Sequence, residues 1–328
     1  MKNEKKIRIG VIGLASIAKR SIIPEILSLP NHYKLSAISS RDIINTEKIA
    51  GEYGCKFFHD YKKLLNSNCI DAVYIPQPNS LHFKCAMCAL ENNVNVLLEK
   101  PFTTNYQEAL ELVGVAKRKK LAIFETFQFR FHSQLGSISE IIQTGQLGEL
   151  RTIRSSFGFP LFNNTNNIRY QSSLGGGALL DVGCYTTKIS QLLLGVGLSV
   201  KSSTLHTPKG YEVDMWGGAH LEEKGSGIVA SLAFGFNNFY QCNLEIWGQK
   251  GKLSTSRIFT SPLDMKPTLH LEKESGSEKI ELKKDNQFKN MLIYFYKLIS
   301  DHKLKDIESL EILDNMRLLD EIRKLSKK

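Results

Sequence analysis

The first 125 residues or so alternate short apolar runs with stretches of helical spacing. The runs are Ile7–Ile12, Tyr33–Ser39, Ala72–Ile75, Asn95–Leu98 and Leu121–Glu125, with a shorter extended piece at Cys55–Phe58. They show little in-out alternation, which is the pattern of strands covered on both faces, as in a parallel sheet. Helical spacing covers Ala18–Ser28, where Ile22, Ile26 and Leu29 form one apolar face, and then Thr46–Tyr53, Tyr61–Leu65, Leu81–Asn92 and Tyr106–Lys119. This strand–helix rhythm predicts a doubly wound α/β domain.

Beyond about residue 150 the texture changes. Arg151–Gly158, Ser199–His206, Trp216–His220, Gly227–Phe236, Phe239–Trp247, Gly251–Thr255 and Leu269–Glu272 follow one another as strands separated by turns. Consecutive strands predict a largely antiparallel sheet. Helical stretches at about Phe288–Ser300 and Ile307–Leu325 close the chain. The expected architecture is therefore α/β, with a first domain over residues 1–125 and a second, mixed domain over 126–328.

Composition narrows the class without naming an activity. The 328 residues are 42% hydrophobic and 23% charged, a globular balance with room for two cores. No apolar run reaches membrane-spanning length, and the charged opening MKNEKKIRIG runs directly into a strand, so no signal peptide is expected. The net charge of +10 comes from dispersed lysines and small clusters, such as Lys117-Arg118-Lys119-Lys120, rather than a basic stripe interleaved with aromatics. That distribution argues against a nucleic-acid surface and suits anionic metabolites. The six cysteines are scattered, and Cys85-Ala-Met-Cys88 lacks the second pair that a zinc site needs. Buried thiols in a reducing, cytoplasmic setting and no metal are expected.

The candidate chemistry begins after the first strand, at Gly13-Leu14-Ala15-Ser16-Ile17-Ala18. This is a G-x-G-x-x-G fingerprint with alanine at its second and third glycine positions, followed by a helix. In that context the backbone at Gly13, Ala15, Ser16 and Ile17 can hold a pyrophosphate at the helix N-terminus. The second strand ends Ser39-Ser40-Arg41 where an NAD site usually carries an acidic residue. A hydroxyl at Ser40 and a guanidinium at Arg41 suit a ribose 2′-phosphate, which favours NADP(H) over NAD(H). Asp42, one residue later, can instead cap the next helix.

Three further stretches carry more weight. Strand Ala72–Ile75 runs into Pro76-Gln77-Pro78-Asn79-Ser80-Leu81-His82, strand Asn95–Leu98 ends in Glu99-Lys100-Pro101, and Gly175-Gly176-Gly177-Ala178-Leu179-Leu180-Asp181-Val182-Gly183-Cys184-Tyr185 opens a helix. Lys100 stands at the C-terminal end of a parallel strand, where open α/β sheets bind ligands, and its ammonium can stabilise charge growing on a substrate oxygen. Asp181 and Tyr185 are four residues apart on a helix and Lys188 extends the row. An unperturbed tyrosine is better suited to giving a proton to an alkoxide than to removing one from an alcohol.

Together with the first loop, these motifs resemble the Gfo/Idh/MocA oxidoreductases, along nearly the whole chain. The resemblance implies a Rossmann domain followed by an α/β domain with an open, largely antiparallel sheet. It implies catalysis by Lys100, Asp181 and Tyr185, and a cofactor site that adds Pro78, Asn79, His82, Glu99, Lys100 and Arg169 to the first loop and Ser40–Arg41. Arg130, His132 and Lys188 fall on the substrate side. Tyr185 stands where inositol dehydrogenase-type members carry histidine. That departure, with Gly148-Glu149-Leu150-Arg151, Phe157-Gly158-Phe159-Pro160 and Ile168-Arg169-Tyr170, resembles the branch that reduces keto groups of nucleotide-linked deoxysugars with NADPH. The alternatives are an NAD(P)-dependent dehydrogenase of a free sugar or inositol, and a non-catalytic nucleotide-binding protein on the same fold. The open sheet predicts a homodimer or homotetramer packed through its flat face.

Overall fold

The computed structural model describes residues 6–161 and 167–327; most of the charged N-terminal stretch lies outside them. The chain forms two compact units. One comprises residues 1–126 with 288–313, the other 127–287 with 314–328.

The first unit alternates β1 (Ile7–Ile12), α1 (Ile23–Ser28), β2 (Tyr33–Ser39), α2 (Ile43–Glu52), β3 (Lys56–Phe58), α3 (Tyr61–Leu65), β4 (Ala72–Ile75), α4 (Asn79–Glu91), β5 (Asn95–Leu98), α5 (Tyr106–Lys119) and β6 (Ile123–Glu125). Its sheet has the order β3-β2-β1-β4-β5-β6 and every pair is parallel. That is the doubly wound dinucleotide-binding order, with the strand direction of travel reversing at β1. The residues of β4 and the last three of β5 are buried, which matches their unbroken apolar sequence. The helix after β1 opens with a widened, π-type turn at Ala18–Ile22, in which Ile23 N–H reaches back to the Ala18 carbonyl. Pro24 has no N–H for the carbonyl four residues earlier, so the α-ladder cannot run through it unbroken.

The second unit contains α6 (Ser133–Gln143), β7 (Leu150–Phe159), α7 (Cys184–Leu194), β8 (Ser199–His206), β9 (Trp216–Glu222), β10 (Val229–Phe236), β11 (Gln241–Gly248), β12 (Gly251–Ser256), β13 (Thr268–Lys273) and β14 (Gly276–Glu281). They form an eight-stranded sheet, β14-β13-β12-β11-β7-β10-β9-β8. All its pairs are antiparallel except β7 with β10. Ile153, Ser155 and Phe157 of β7 are buried, while Arg154 between them is exposed. On that polar face the Arg154 guanidinium lies 3.9 Å from the Trp247 ring centroid, and Trp247 Nε1 donates to Glu245 at 2.7 Å.

Two expectations need correction, and two elements were not anticipated. Residues 288–313, expected in the second domain, belong to the first unit. Helix α8 (Gln287–Ser300) supplies the reason: Phe295 is fully buried and packs on Phe124, Tyr296 meets His32 and Tyr33 edge-on, and the Tyr33 hydroxyl donates to the Leu292 carbonyl at 2.6 Å. Burying a phenylalanine contributes about 1.5–3 kcal/mol, so this helix completes the first core. Strand β14 and helix α6 were not anticipated. Finally, α9 (His302–Leu325) starts five residues before the expected Ile307, because the Asp301 carboxylate accepts the N–H groups of Lys303 and Leu304 and caps it.

Candidate active site

The first unit gathers its candidate residues at the C-terminal ends of its strands. Gly13 leaves β1 with φ +108°, a conformation that an L side chain rarely adopts, and its N–H donates to the Ser39 carbonyl at 2.7 Å. Ala18 is fully buried at the helix–strand contact, where a small residue is needed. Ser16 is exposed, and Ala15 and Ile17 are half-buried. Ser40 follows β2 half-buried, and the Arg41 side chain is exposed. Asp42 Oδ1 accepts the Asn45 N–H at 3.1 Å, so the one acidic residue here caps α2.

At β5 the chain places Glu99, Lys100 and Pro101 in a turn with a cis Lys100–Pro101 bond. Glu99 Oε1 accepts the Tyr74 hydroxyl at 2.6 Å, and Oε2 accepts the Lys100 N–H at 3.3 Å. Burial pushes the Glu99 carboxyl above its usual range, opposed by the Tyr74 hydrogen bond and the Lys100 charge. Glu125 at the end of β6 accepts the Phe102 N–H at 2.7 Å and pins the far side of the turn. Pro78 and Asn79 begin α4, at the mouth of the neighbouring β4. His82, expected beside the cofactor, is fully buried, and both ring nitrogens face backbone carbonyls. It has no surface to offer a ligand.

In the second unit the triple-glycine stretch wraps around Arg169. The Arg169 carbonyl accepts the Gly177 N–H at 2.9 Å, and a Cβ on Gly176 would fall 2.5 Å from that same oxygen. Gly177 has φ +114°, and a Cβ there would collide with the Asp214 carboxylate. Asp214 itself accepts the Leu179 N–H through Oδ2 at 2.6 Å and the Ala178 N–H through its carbonyl at 2.8 Å. Asp214 was not anticipated from sequence. Burial raises its carboxyl above the usual carboxylate range.

The Arg169 Nε donates to Asp181 Oδ2 at 2.6 Å, in a half-buried ion pair. The Asp181 charge keeps this guanidinium firmly protonated despite its burial. Asp181 lies in a second π-type turn, Leu179–Gly183, where Cys184 N–H returns to the Leu179 carbonyl. The widened turn interrupts the strict four-residue spacing assumed between Asp181 and Tyr185. The Tyr185 ring is 7% exposed and boxed by Phe127, Phe129, Phe157 and Phe259, with centroids 5.2–5.8 Å away. Such a box leaves the ring little freedom and fixes where the phenol points.

The expected substrate-side residues have structural work instead, or in part. Lys188 is 1% exposed and donates to Gln191 Oε1 at 2.6 Å, and Gln191 in turn donates to Asp314 at 2.9 Å. His132 is 2% exposed and its Nδ1 accepts the Gln134 N–H at 3.1 Å, capping α6. Arg130 is half-buried, its guanidinium 5.3 Å from the Phe131 ring centroid. Among the described residues, no cluster of histidine, cysteine or acidic side chains is arranged to hold a metal, and no helix is long and apolar enough to cross a membrane.

Comparison with known proteins agrees with this arrangement. Residues 7–127 match a family model described as an oxidoreductase family with an NAD-binding Rossmann fold, and residues 137–254 match the GFO/IDH/MocA C-terminal domain. A dTDP-3,4-didehydro-2,6-dideoxy-α-D-glucose 3-reductase of Saccharopolyspora spinosa is 34% identical over 89% of this chain and 87% of its own length. A D-xylose 1-dehydrogenase (NADP(+)) of Haloferax volcanii is 31% identical over 76% of each chain. Among solved structures, a 3-ketoreductase from Actinomadura kijaniata, in complex with NADP and TDP-benzene, superposes with a TM-score of 0.92 at 32% identity, covering 98% of both chains. With matches to both of its characteristic domains and relatives above 30% identity along most of its length, the chain belongs to the GFO/IDH/MocA oxidoreductase family.

Proposed function

We propose that the protein is an NADP(H)-dependent ketoreductase acting at C-3 of a nucleotide-linked keto-deoxysugar. The observation that carries this reading is the tyrosine at position 185, held in its phenylalanine box one turn after Asp181, in a chain whose dTDP-sugar 3-reductase relatives align over most of its length. The residues after β2 fit NADP(H): Arg41 is exposed, and Asp42 is occupied as a cap and does not take the place of a ribose-binding carboxylate. Gly13 and the helix start at Ser16 fit a pyrophosphate.

Bound there, NADPH supplies the hydride. Lys100 donates a hydrogen bond to the ketone oxygen and stabilises the negative charge that grows on it as the carbonyl π bond opens. Tyr185 gives its phenolic proton to that oxygen, so the ketone ends as an alcohol. Asp181, fixed by Arg169, orients the substrate and keeps the charge beside Tyr185 balanced. Solved variants of the Actinomadura relative replace a lysine and a tyrosine, the two residue types given these roles here.

A second reading is oxidation of a free sugar, favoured by the similarity to the D-xylose dehydrogenase. Steady-state assays separate the two. NADPH consumption with a dTDP-linked 3-keto-sugar, and none of comparable rate with NADP+ and free xylose or inositol, is the expected result. The reverse ranking overturns the ketoreductase reading. The proposed assembly is a homodimer or homotetramer through the polar face of the second sheet, around Arg154, Glu245 and Trp247. Sedimentation as a monomer at micromolar concentration would reject it. The proposed setting is the reducing cytoplasm, in keeping with six free thiols.

A further inference from the structure

Two turns in the first unit lie side by side because β4 and β5 are neighbours in the sheet, paired in register up to Ile75 and Leu98. One is Pro76-Gln77-Pro78, entering α4; the other is Glu99-Lys100-Pro101. The last ladder bond between the two strands, from the Glu99 N–H to the Ile75 carbonyl, is already 3.3 Å long. Lys100 stands beyond it. Pro76, Pro78 and Pro101 have no N–H, so these turns hold few backbone donors with which to bind each other.

His82 fills that gap. It sits in the first turn of α4 and is 0% exposed, with Nδ1 2.9 Å from the Pro101 carbonyl and Nε2 2.8 Å from the Gln77 carbonyl. Both contacts point at acceptors, one on each turn. A neutral imidazole donates to one of them and an imidazolium to both. Burial, the largest influence, lowers the imidazole pKa and favours the neutral ring, and the Lys100 charge acts in the same direction against the Pro101, Gln77 and Phe102 hydrogen bonds.

We infer that His82 is a positioning residue for Lys100: its buried ring ties the turn after β4 to the turn after β5 and so fixes where the lysine ammonium stands. This rests on the reading of Lys100 as the group that acts on the ketone. His82 itself touches neither substrate nor cofactor.

The test is a double-mutant cycle in the full-length protein. His82→Leu and His82→Gln are made in the native and the Lys100→Ala backgrounds. Ketone reduction is followed through NADPH absorbance in single turnover, and NADPH binding is followed separately by fluorescence titration. A reacting group displaced by about 1 Å costs up to about 100-fold in rate. His82→Leu should therefore lower the rate about 10- to 100-fold with Lys100 present, and less than about twofold in Lys100→Ala. The Kd for NADPH should change less than about twofold, and His82→Gln, which keeps an amide donor, should recover part of the rate. Equal losses in both backgrounds overturn the inference, because a general weakening of the fold does not depend on Lys100. If His82→Leu does not fold, the same comparison with His82→Gln decides. If Lys100→Ala reduces the ketone at the native rate, the reading of Lys100 fails, and the positioning role fails with it by a measurement that does not involve His82.

Discussion

Phe259 is the most informative wall of the tyrosine box to remove. It is fully buried, and its ring centroid lies 5.1 Å from Phe129, 5.2 Å from Phe157 and 5.5 Å from Tyr185. Its backbone carbonyl accepts the Gln128 amide at 3.0 Å, a bond that a side-chain substitution leaves in place. Phe259→Ala deletes the ring and leaves a cavity among three others, which costs about 3–5 kcal/mol by the behaviour of buried phenylalanines. The edge-to-face contacts with Phe129 and Tyr185 supply about 0.5–1.5 kcal/mol each of that loss. Both tryptophans of the chain, Trp216 and Trp247, lie in the second unit. Urea unfolding followed by tryptophan fluorescence therefore reports on the unit that holds Phe259. The same variant should reduce the ketone about 10- to 100-fold more slowly, because Tyr185 loses the wall that fixes its ring. NADPH affinity should be unchanged, since the proposed pyrophosphate and 2′-phosphate contacts are in the first unit. A stability loss below about 1 kcal/mol would show that the box is not packed as described. A full stability loss with the native rate would show that the box does not position Tyr185.

Three more outcomes are expected. Arg41→Ala should weaken NADPH binding about 10- to 100-fold by titration and leave NADH binding alone, because charge-assisted bonds to phosphate contribute about 1.5–3 kcal/mol. Asp214→Asn keeps an acceptor for the Leu179 N–H but removes a carboxyl whose folded-state pKa lies above its unfolded value. A raised acid binds its proton more tightly when folded, so its contribution to stability is present below the unfolded pKa and is lost as pH rises through the folded one. Urea unfolding across the acid range should show that fall in the native protein and a flatter profile in Asp214→Asn; equal slopes refute the assignment. Gly176→Ala forces a methyl against the Arg169 carbonyl, a backbone atom that cannot rotate away. It should cost about 1–3 kcal/mol in the same fluorescence assay and slow ketone reduction, and a neutral result would mean that the loop does not close on Arg169 as seen.

Several elements of the first unit were legible to the residue, and physics explains which. Ile7–Ile12, Ala72–Ile75 and Asn95–Leu98 are largely apolar, buried runs bounded by polar turns, and Tyr33–Ser39 departs from that only at the exposed Lys34 and the half-buried Ser36, so composition alone delimits them. Strand β14 reads GSEKIE and is almost wholly exposed at a sheet edge, so no hydrophobic period marks it. Helix α6 carries Gly136 and three serines, poor helix formers, and its cap is a histidine rather than a residue usual in that position. The placement of residues 288–313 in the first unit depends on Tyr33 and Phe124, more than 150 positions away, a pairing that no local pattern encodes.

The candidate site divides in the same way. Gly13, Lys100, Asp181 and Tyr185 stand in motifs and could be read off. Their supports could not, because each is a contact between distant segments: Tyr74 on Glu99, Asp214 on Leu179, Phe259 on Tyr185. The widened turn at Leu179–Gly183 breaks the α spacing between Asp181 and the helix that carries Tyr185 and Lys188, and the Lys188 ammonium is buried against Gln191. His82 and His132 were expected on the ligand side; both ring nitrogens of His82 face backbone carbonyls, whereas His132 uses only Nδ1, which accepts the Gln134 N–H, and its buried Nε2 has no hydrogen-bond partner among the described residues.

The central claim is tested most directly by following the transferred hydrogen. The protein is incubated with NADPH deuterated at the transferable position of its nicotinamide and with dTDP-3,4-didehydro-2,6-dideoxy-α-D-glucose, and the sugar product is examined by mass spectrometry and NMR. One deuterium on C-3 is expected in the product of the native protein, and far less, at a slow but measurable rate, in Lys100→Ala or Tyr185→Phe over the same interval. Deuterium on C-4, or a product without deuterium while NADP+ is reduced by a free sugar, would contradict that claim.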